Sequence, residues 1–378
     1  MAGGFFRRFT KGFFVLCNVV IAVLFLLGCY ASWFDPQYFW LIGLLTLASL
    51  YLLLALVIFI IFWLFAKKRF MLISLVTVAL AWKPISQLIK FKQPDDFKLA
   101  RQSNTIRVMD WNVEHFDILE HKTKPQVKTE MLDLINMYQP DVACFQEMVA
   151  SDFDSTAINY VPYFSERLHF PYNYFCYNKK DDFDNKHRFG IIIFSKYPII
   201  ETHTIRYDPL TYNSTFEYVD ILKDADTLRI FNFHLQSLRF SNNDLQYIKD
   251  EAPNGEVKLN ESKSVIAKFK TGFLLRKLQS NRIKEAMNES PYPIIACGDF
   301  NDVPNSYAYN TIGKGLKNAF VEQGSGIGRT FSAISPTLRI DNIFLDKRFN
   351  VQQYIRVKKK MSDHFPIITD ITLTPKGN

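Results

Sequence analysis

Two uncharged apolar stretches near the start of the chain, GFFVLCNVVIAVLFLLGCYASWF (12–34) and YFWLIGLLTLASLYLLLALVIFIIFWLFA (38–66), constrain this sequence more than any other feature. Each reaches the ~20 residues that a helix needs to cross a bilayer, where every backbone polar group must be satisfied within the segment. A third run, FMLISLVTVALAW (70–82), crosses only if it continues beyond Lys83-Pro84 through ISQLI (85–89). The sequence predicts a transmembrane region 1–89 with two or three helices, over about 12–34, 38–66 and 70–89. Arg7, Arg8 and Lys11 precede the first, Lys67, Lys68 and Arg69 follow the second, and the DPQ turn between them has no basic residue. Both basic clusters are therefore expected on the cytoplasmic side. The expected protein is integral to the cytoplasmic (inner) membrane and meets the lipid bilayer through these helices. If the third run spans, everything after it lies on the outer (periplasmic) side, the preferred reading; a re-entrant run would leave it cytoplasmic. A lipoprotein leader ending at Cys29 is disfavoured, since a mature lipoprotein does not need the long second helix.

The charge excess belongs to the same region. Residues 1–98 carry ten Lys/Arg against three Asp/Glu, which leaves 35 against 34 from residue 99 onwards. A near-neutral remainder lacks the electrostatic footprint of a dedicated DNA binder. The cysteines at 17, 29, 144, 176 and 297 show neither a CxxC pair nor zinc spacing, so free thiols are expected.

A polar segment, KFKQPDDFKLARQSN (90–104), reads as a short linker to a domain spanning 105–376. Within that domain, runs of strand length rich in Val, Ile and Phe recur at 105–111, 141–146, 189–195, 215–222, 228–235, 293–297, 338–345 and 365–373. Helical patterns fall at 127–139, stopped by Pro140, and within 261–289. This mixture predicts two packed sheets with helices outside them. Polar residues collect at the strand ends: Asn112 and Glu114 in MDWNVEH, Glu147 in CFQEM, His234 in NFHLQS, Asp299 and Asn301 in GDFND, Asp341 in RIDNIF, Asp363 and His364 in SDHFP. Taken singly, each is better explained as a turn residue bonding its own backbone. Asp341 inside an apolar strand is different, because a buried carboxylate is costly without a partner, and His364 is a natural one.

The ordered set WN, QE, H, GDFN, ID, SDH resembles the endonuclease/exonuclease/phosphatase superfamily, which includes deoxyribonuclease I, apurinic endonucleases, neutral sphingomyelinases and inositol polyphosphate 5-phosphatases. The resemblance covers about 104–375 and implies an α+β fold, a four-layer αββα sandwich of two mixed β-sheets with the active site at one rim. It implies a metal-dependent phosphoric ester hydrolase using Mg²⁺, with Mn²⁺ as a substitute. Glu147 would be the principal metal ligand, with Asn112 and Asp363 beside it. Asp299 would activate the attacking water and Asn301 hold that water or a phosphate oxygen. His364, oriented by Asp341, would stabilise charge on the phosphate, and His234 would contact a phosphate oxygen or assist the leaving group. Glu114 departs from the Asp or Gly common at its position. The second Glu that pairs with the early histidine in deoxyribonuclease I is absent, and 236–290 is unexplained by the nuclease pattern.

Substrate choice rests with the loops. The aromatic stretch YVPYFSERLHFPYNYFCY (160–177) reads as core packing, with base stacking and lipid contact as alternatives. RVKKK (356–360) reads as a solvated face or a polyanion contact. Both a lipid headgroup phosphoester and nucleic acid remain open as substrate. The alternative to an enzyme is a membrane-tethered binding module of the same fold, and the sequence names no protein partner.

Overall fold

The computed structural model describes residues 2–93, 96–116, 126–151, 158–182, 186–207, 215–238 and 259–374. Helices α1 (Ala2–Cys29), α2 (Pro36–Ala66), α3 (Met71–Leu80) and α4 (Trp82–Leu88) come first. Then follow β1 (Ile106–Asn112), α5 (Gln126–Tyr138), β2 (Val142–Ala150), α6 (Tyr160–Arg167), β3 (Tyr172–Asp182), β4 (Arg188–Ser195), β5 (Ile199–Arg206), β6 (Thr215–Lys223) and β7 (Asp226–His234). Last are α7 (Leu259–Asn288), β8 (Ile294–Asp299), α8 (Tyr307–Gly313), β9 (Lys317–Asn318), α9 (Ala319–Gln323), β10 (Asp341–Leu345), β11 (Phe349–Arg356) and β12 (Ile367–Leu373).

Helix α2 starts where Asp35 caps it, accepting from Gln37 N at 2.8 Å, with Pro36 in the first turn where a missing N–H costs nothing. Helices α1 and α2 pack closely because Gly28 has no side chain; a Cβ there would lie 2.6 Å from the Leu45 carbonyl oxygen. Helices α3 and α4 meet at a bend of 68°. Pro84 cannot donate to Leu80, so the helix breaks, and the Leu80 carbonyl accepts from the Tyr30 hydroxyl at 2.6 Å instead. Two helices are long and apolar enough to cross a membrane, or three if the bent pair is one span.

The strands form two six-stranded sheets, ordered β11-β12-β1-β2-β4-β3 and β5-β6-β7-β8-β10-β9. Each has one central parallel pair, β1/β2 and β7/β8, flanked by antiparallel neighbours. Val108, Val142 and Cys144 of one sheet face Ile230, Ile295 and Cys297 of the other across the inner core. Helices α5 and α6 cover the first sheet through Leu134, Ile135 and Phe164, and α7 and α8 cover the second through Ile283, Met287 and Ile312. The result is the expected αββα sandwich of two mixed sheets. All five cysteines are free.

The strands that periodicity did not reveal are β3, β5, β9 and β11, the four edges. Central strands are buried on both faces and read as apolar runs, whereas β5 (IIETHTIR) and β11 (FNVQQYIR) alternate with polar residues toward solvent. The aromatic stretch 160–177 became α6 and the start of β3, with Tyr160, Phe164 and Phe170 buried. The segment read as a linker is strapped to the domain: Lys90 and Gly326 exchange backbone hydrogen bonds of 2.9 and 2.8 Å, and Arg101 pairs with Asp141 at 2.6 Å.

Candidate active site

Strand register builds the site. Asp299, the last residue of β8, lies opposite His234 on β7 and opposite Asp341 on β10. In the other sheet Asn112 on β1 pairs with Gln146 on β2, and the β2–β4 register shifts between Phe145 and Met148. That bulge gives Glu147 a φ of +57° and sends it to the rim while Gln146 turns inward to Asp110 and Asn232, 2.8 Å from each. The Gly298 position permits the close β7–β8 approach, since a Cβ would sit 2.2 Å from the Phe233 carbonyl oxygen.

At the rim the Asn112 amide donates to Glu147 Oε1 at 3.1 Å and to Asp299 Oδ2 at 3.2 Å, drawing two carboxylates together. His234 Nε2 is 3.4 Å from Asp299 Oδ2 and 4.0 Å from Glu147 Oε1. His364 Nδ1 lies 2.9 Å from Asp341 Oδ2, and its Nε2 is 3.6 Å from Asp299 Oδ2. The structure thus brings together every residue that the sequence singled out, with Asp363 Oδ1 at 3.8 Å from His364 Nε2. Asn301, in the left-handed region at φ +48°, donates its backbone N–H to Asp299 Oδ1 at 2.7 Å and its amide to the Leu235 carbonyl at 2.9 Å. Its first task is to aim Asp299. Asp302 shapes the turn, accepting from Val303 N, and also pairs with buried Arg276 at 3.2 Å.

Electrostatics divide the groups. Burial acts to raise Asp299 and Glu147, but facing imidazoles outweigh it and hold both below the usual carboxylate range. Burial opposes charge on His364, yet Asp341 and Asp299 push its pKa well above the ordinary value. His234 is raised too, because its hydrogen bond and attraction to Asp299 exceed its burial cost. Asp363 is pushed up to about 6, first by burial and then by the Glu147, Asp299 and Asp341 charges, against the opposing pull of His364.

Two residues here escaped the sequence reading: His115 places Nδ1 3.4 Å from Glu147 Oε2, and Thr330 Oγ1 accepts from Asp341 N at 3.1 Å. Glu114, singled out in the sequence without a role, accepts from Asp363 N at 2.8 Å. Only the adjacency of His115 to Glu114 and Asn112 could have signalled that histidine.

The family description "Endonuclease/Exonuclease/phosphatase family" matches residues 111–364. The chain belongs to this family. Its members are hydrolases of phosphoesters that typically use divalent metals. A description of a domain of unknown function matches residues 11–88. Among curated proteins none matches significantly. Similar solved structures include an endonuclease/exonuclease/phosphatase from Beutenbergia cavernae (17% identity, 72% of each chain, TM-score 0.51). The human Nocturnin catalytic domain is similar at 18% identity over 72% of this chain and 95% of that one, TM-score 0.50. A family protein from Bacteroides thetaiotaomicron matches at 16% identity over 72% and 98%, TM-score 0.50. These likenesses concern the fold.

The residues present fit a divalent metal. Asp299, Asp341 and His364 offer ligand atoms within 4.8 Å of one another, but His364 and Asp341 already satisfy each other. Glu147 and Asp363 at the same rim offer carboxylate oxygens, the donor type a hard cation takes, while Asn112 turns its Nδ2 to Glu147 and its Oδ1 accepts from Glu114 N at 3.1 Å.

Proposed function

We propose that the chain is a membrane-anchored, Mg²⁺-dependent phosphoesterase whose water-activating base is Asp299. The observation that carries this reading is one carboxylate, Asp299, within 3.6 Å of two imidazoles and hydrogen-bonded to the amide that also holds Glu147. Glu147, Asn112 and Asp363 would hold the cation, which supplies Lewis acidity to the phosphate and to bound water. Asp299 accepts the proton of the attacking water, while Asn301 fixes the carboxylate's orientation. His364, charged and anchored by Asp341, donates toward the oxygen on which charge develops, so it stabilises the transition state more than the substrate. His234 sits on the opposite side of Asp299 and is available to the phosphate or the departing oxygen.

For the membrane, the reading is an inner-membrane protein with its catalytic domain outside. It is supported by Phe14 against Phe62 (5.1 Å) and Trp63 against Phe70 (5.0 Å), which gather the basic clusters at one end of the bundle. The opposite end meets the domain, where Lys277 pairs with Asp35 at 2.6 Å. Full-length protein in detergent should hydrolyse bis(p-nitrophenyl) phosphate with Mg²⁺ and lose it with chelator. Asp299→Asn or Glu147→Gln should lower turnover by about 10²-fold or more; unchanged turnover in both would make the protein a binding module instead.

A further inference from the structure

The anchor does not hang from the domain by a loose tether; it is docked beside the catalytic rim. Asn305, four residues after Asn301, donates to the Pro84 carbonyl at 3.4 Å. Arg339, two residues before Asp341, is buried and donates to the Gln87 carbonyl. Lys90 is bridged to Gly326, in the segment that leads to Thr330 under Asp341. Farther out, Gly43 of α2 lies against the Phe273 ring of α7, where a Cβ would come within 2.9 Å. Both strands that deliver the acidic residues of the second sheet thus continue directly into contacts with the membrane helices.

Contact between the membrane helices and the domain extends along α2 to Tyr51, whose hydroxyl lies 3.1 Å from Ser335 Oγ, and Trp33, Tyr38 and Trp82 are 78%, 77% and 63% exposed. The four residues from Asn301 to Asn305 span at most about 15 Å of chain. From residue 99 onwards the chain is nearly neutral, with 35 Lys/Arg against 34 Asp/Glu.

We propose that the substrate is the headgroup phosphoester of an amphiphile embedded in the leaflet on the domain side, hydrolysed without leaving the bilayer. The inference rests on the phosphoesterase reading above. Water adds to phosphorus and loses its proton to Asp299. The ester P–O bond breaks, its oxygen leaving with the electron pair and taking up a proton, so a phosphomonoester and an alcohol form with no other reagent.

The test uses the full chain in nanodiscs of phosphatidylethanolamine and phosphatidylglycerol, doped in turn with sphingomyelin and a phosphoinositide, alongside bis(p-nitrophenyl) phosphate and single-stranded DNA. Hydrolysis of at least one of these lipids faster than of DNA is expected. Gly43→Leu, which wedges α2 away from α7, should cut lipid hydrolysis about tenfold or more while leaving the soluble diester within about twofold. Turnover of the soluble diester or DNA with no lipid hydrolysed, or equal effects of Gly43→Leu on lipid and soluble diester, overturns this inference and leaves the phosphoesterase reading intact. Turnover of none of these substrates overturns both.

Discussion

Charge placement around single residues decides how this site should respond to pH. His364 keeps its proton well above the ordinary histidine range because Asp341, the largest favourable influence, faces Nδ1. The charged form is lost only as pH rises through that elevated value, so activity should fall on the alkaline side. Asp341→Asn removes the influence and should move that alkaline limb to lower pH, with turnover reduced by about 10²-fold at neutral pH; a kcat/KM profile with an unmoved limb would refute the pairing's role. Asp363 behaves oppositely. Its raised pKa of about 6, against an ordinary 3.8, means that the metal-free fold loses stability as pH climbs through that window. A divalent cation cancels the crowding that an ionised Asp363 creates. Mg²⁺ should therefore raise the thermal midpoint more at pH 7.5 than at pH 5, and calorimetry at both values would check it.

The elements explain what could be read from sequence. Strands β1, β2, β7 and β8 are buried on both faces, so apolar runs ending in WN, QE, H and GD revealed both the strands and the groups at their tips. Edge strands were hidden because solvent allows polar alternation. Glu147 was legible as a residue, but the bulge that turns it rimward depends on pairing with β4, which no local pattern encodes. The inter-sheet polar chain was equally hidden. Gln146 links Asp110 to Asn232, and Asn232 donates to Glu217 at 3.1 Å, all beneath the site. Burial pushes Glu217 well above its ordinary 4.5. An acid with a raised folded pKa costs stability as pH rises above its unfolded value. Glu217→Gln should flatten the alkaline side of the stability curve and match the parent in acid, as urea unfolding across pH would show.

At the scale of the whole molecule, two features support the proposed orientation. Arg7, Arg8, Lys11 and Lys67 to Arg69 favour the cytoplasm, and α1, α2 and the bent α3–α4 pair each connect that end to the domain end. The bent pair was the uncertain piece in sequence, since thirteen apolar residues before Pro84 are too few for a straight span. Its bend redirects α4 so that Ile85 packs with Phe25, Cys29 and Leu56 at the upper end of the bundle. Ser74, lower down, donates to Asn18 at 2.7 Å, so the third run packs against α1. On the proposed topology, with the bent pair as one span, three crossings would put residue 98 opposite the basic clusters. Alkaline phosphatase fused after Lys98 in a bacterial host should be active and a fluorescent protein at the same point dark. Replacing Lys67, Lys68 and Arg69 with Gln weakens only one of the two cytoplasmic clusters, so it should lower the phosphatase signal without abolishing it. A bright fluorescent fusion with silent phosphatase would place the domain in the cytoplasm, and with it any amphiphile substrate in the inner leaflet.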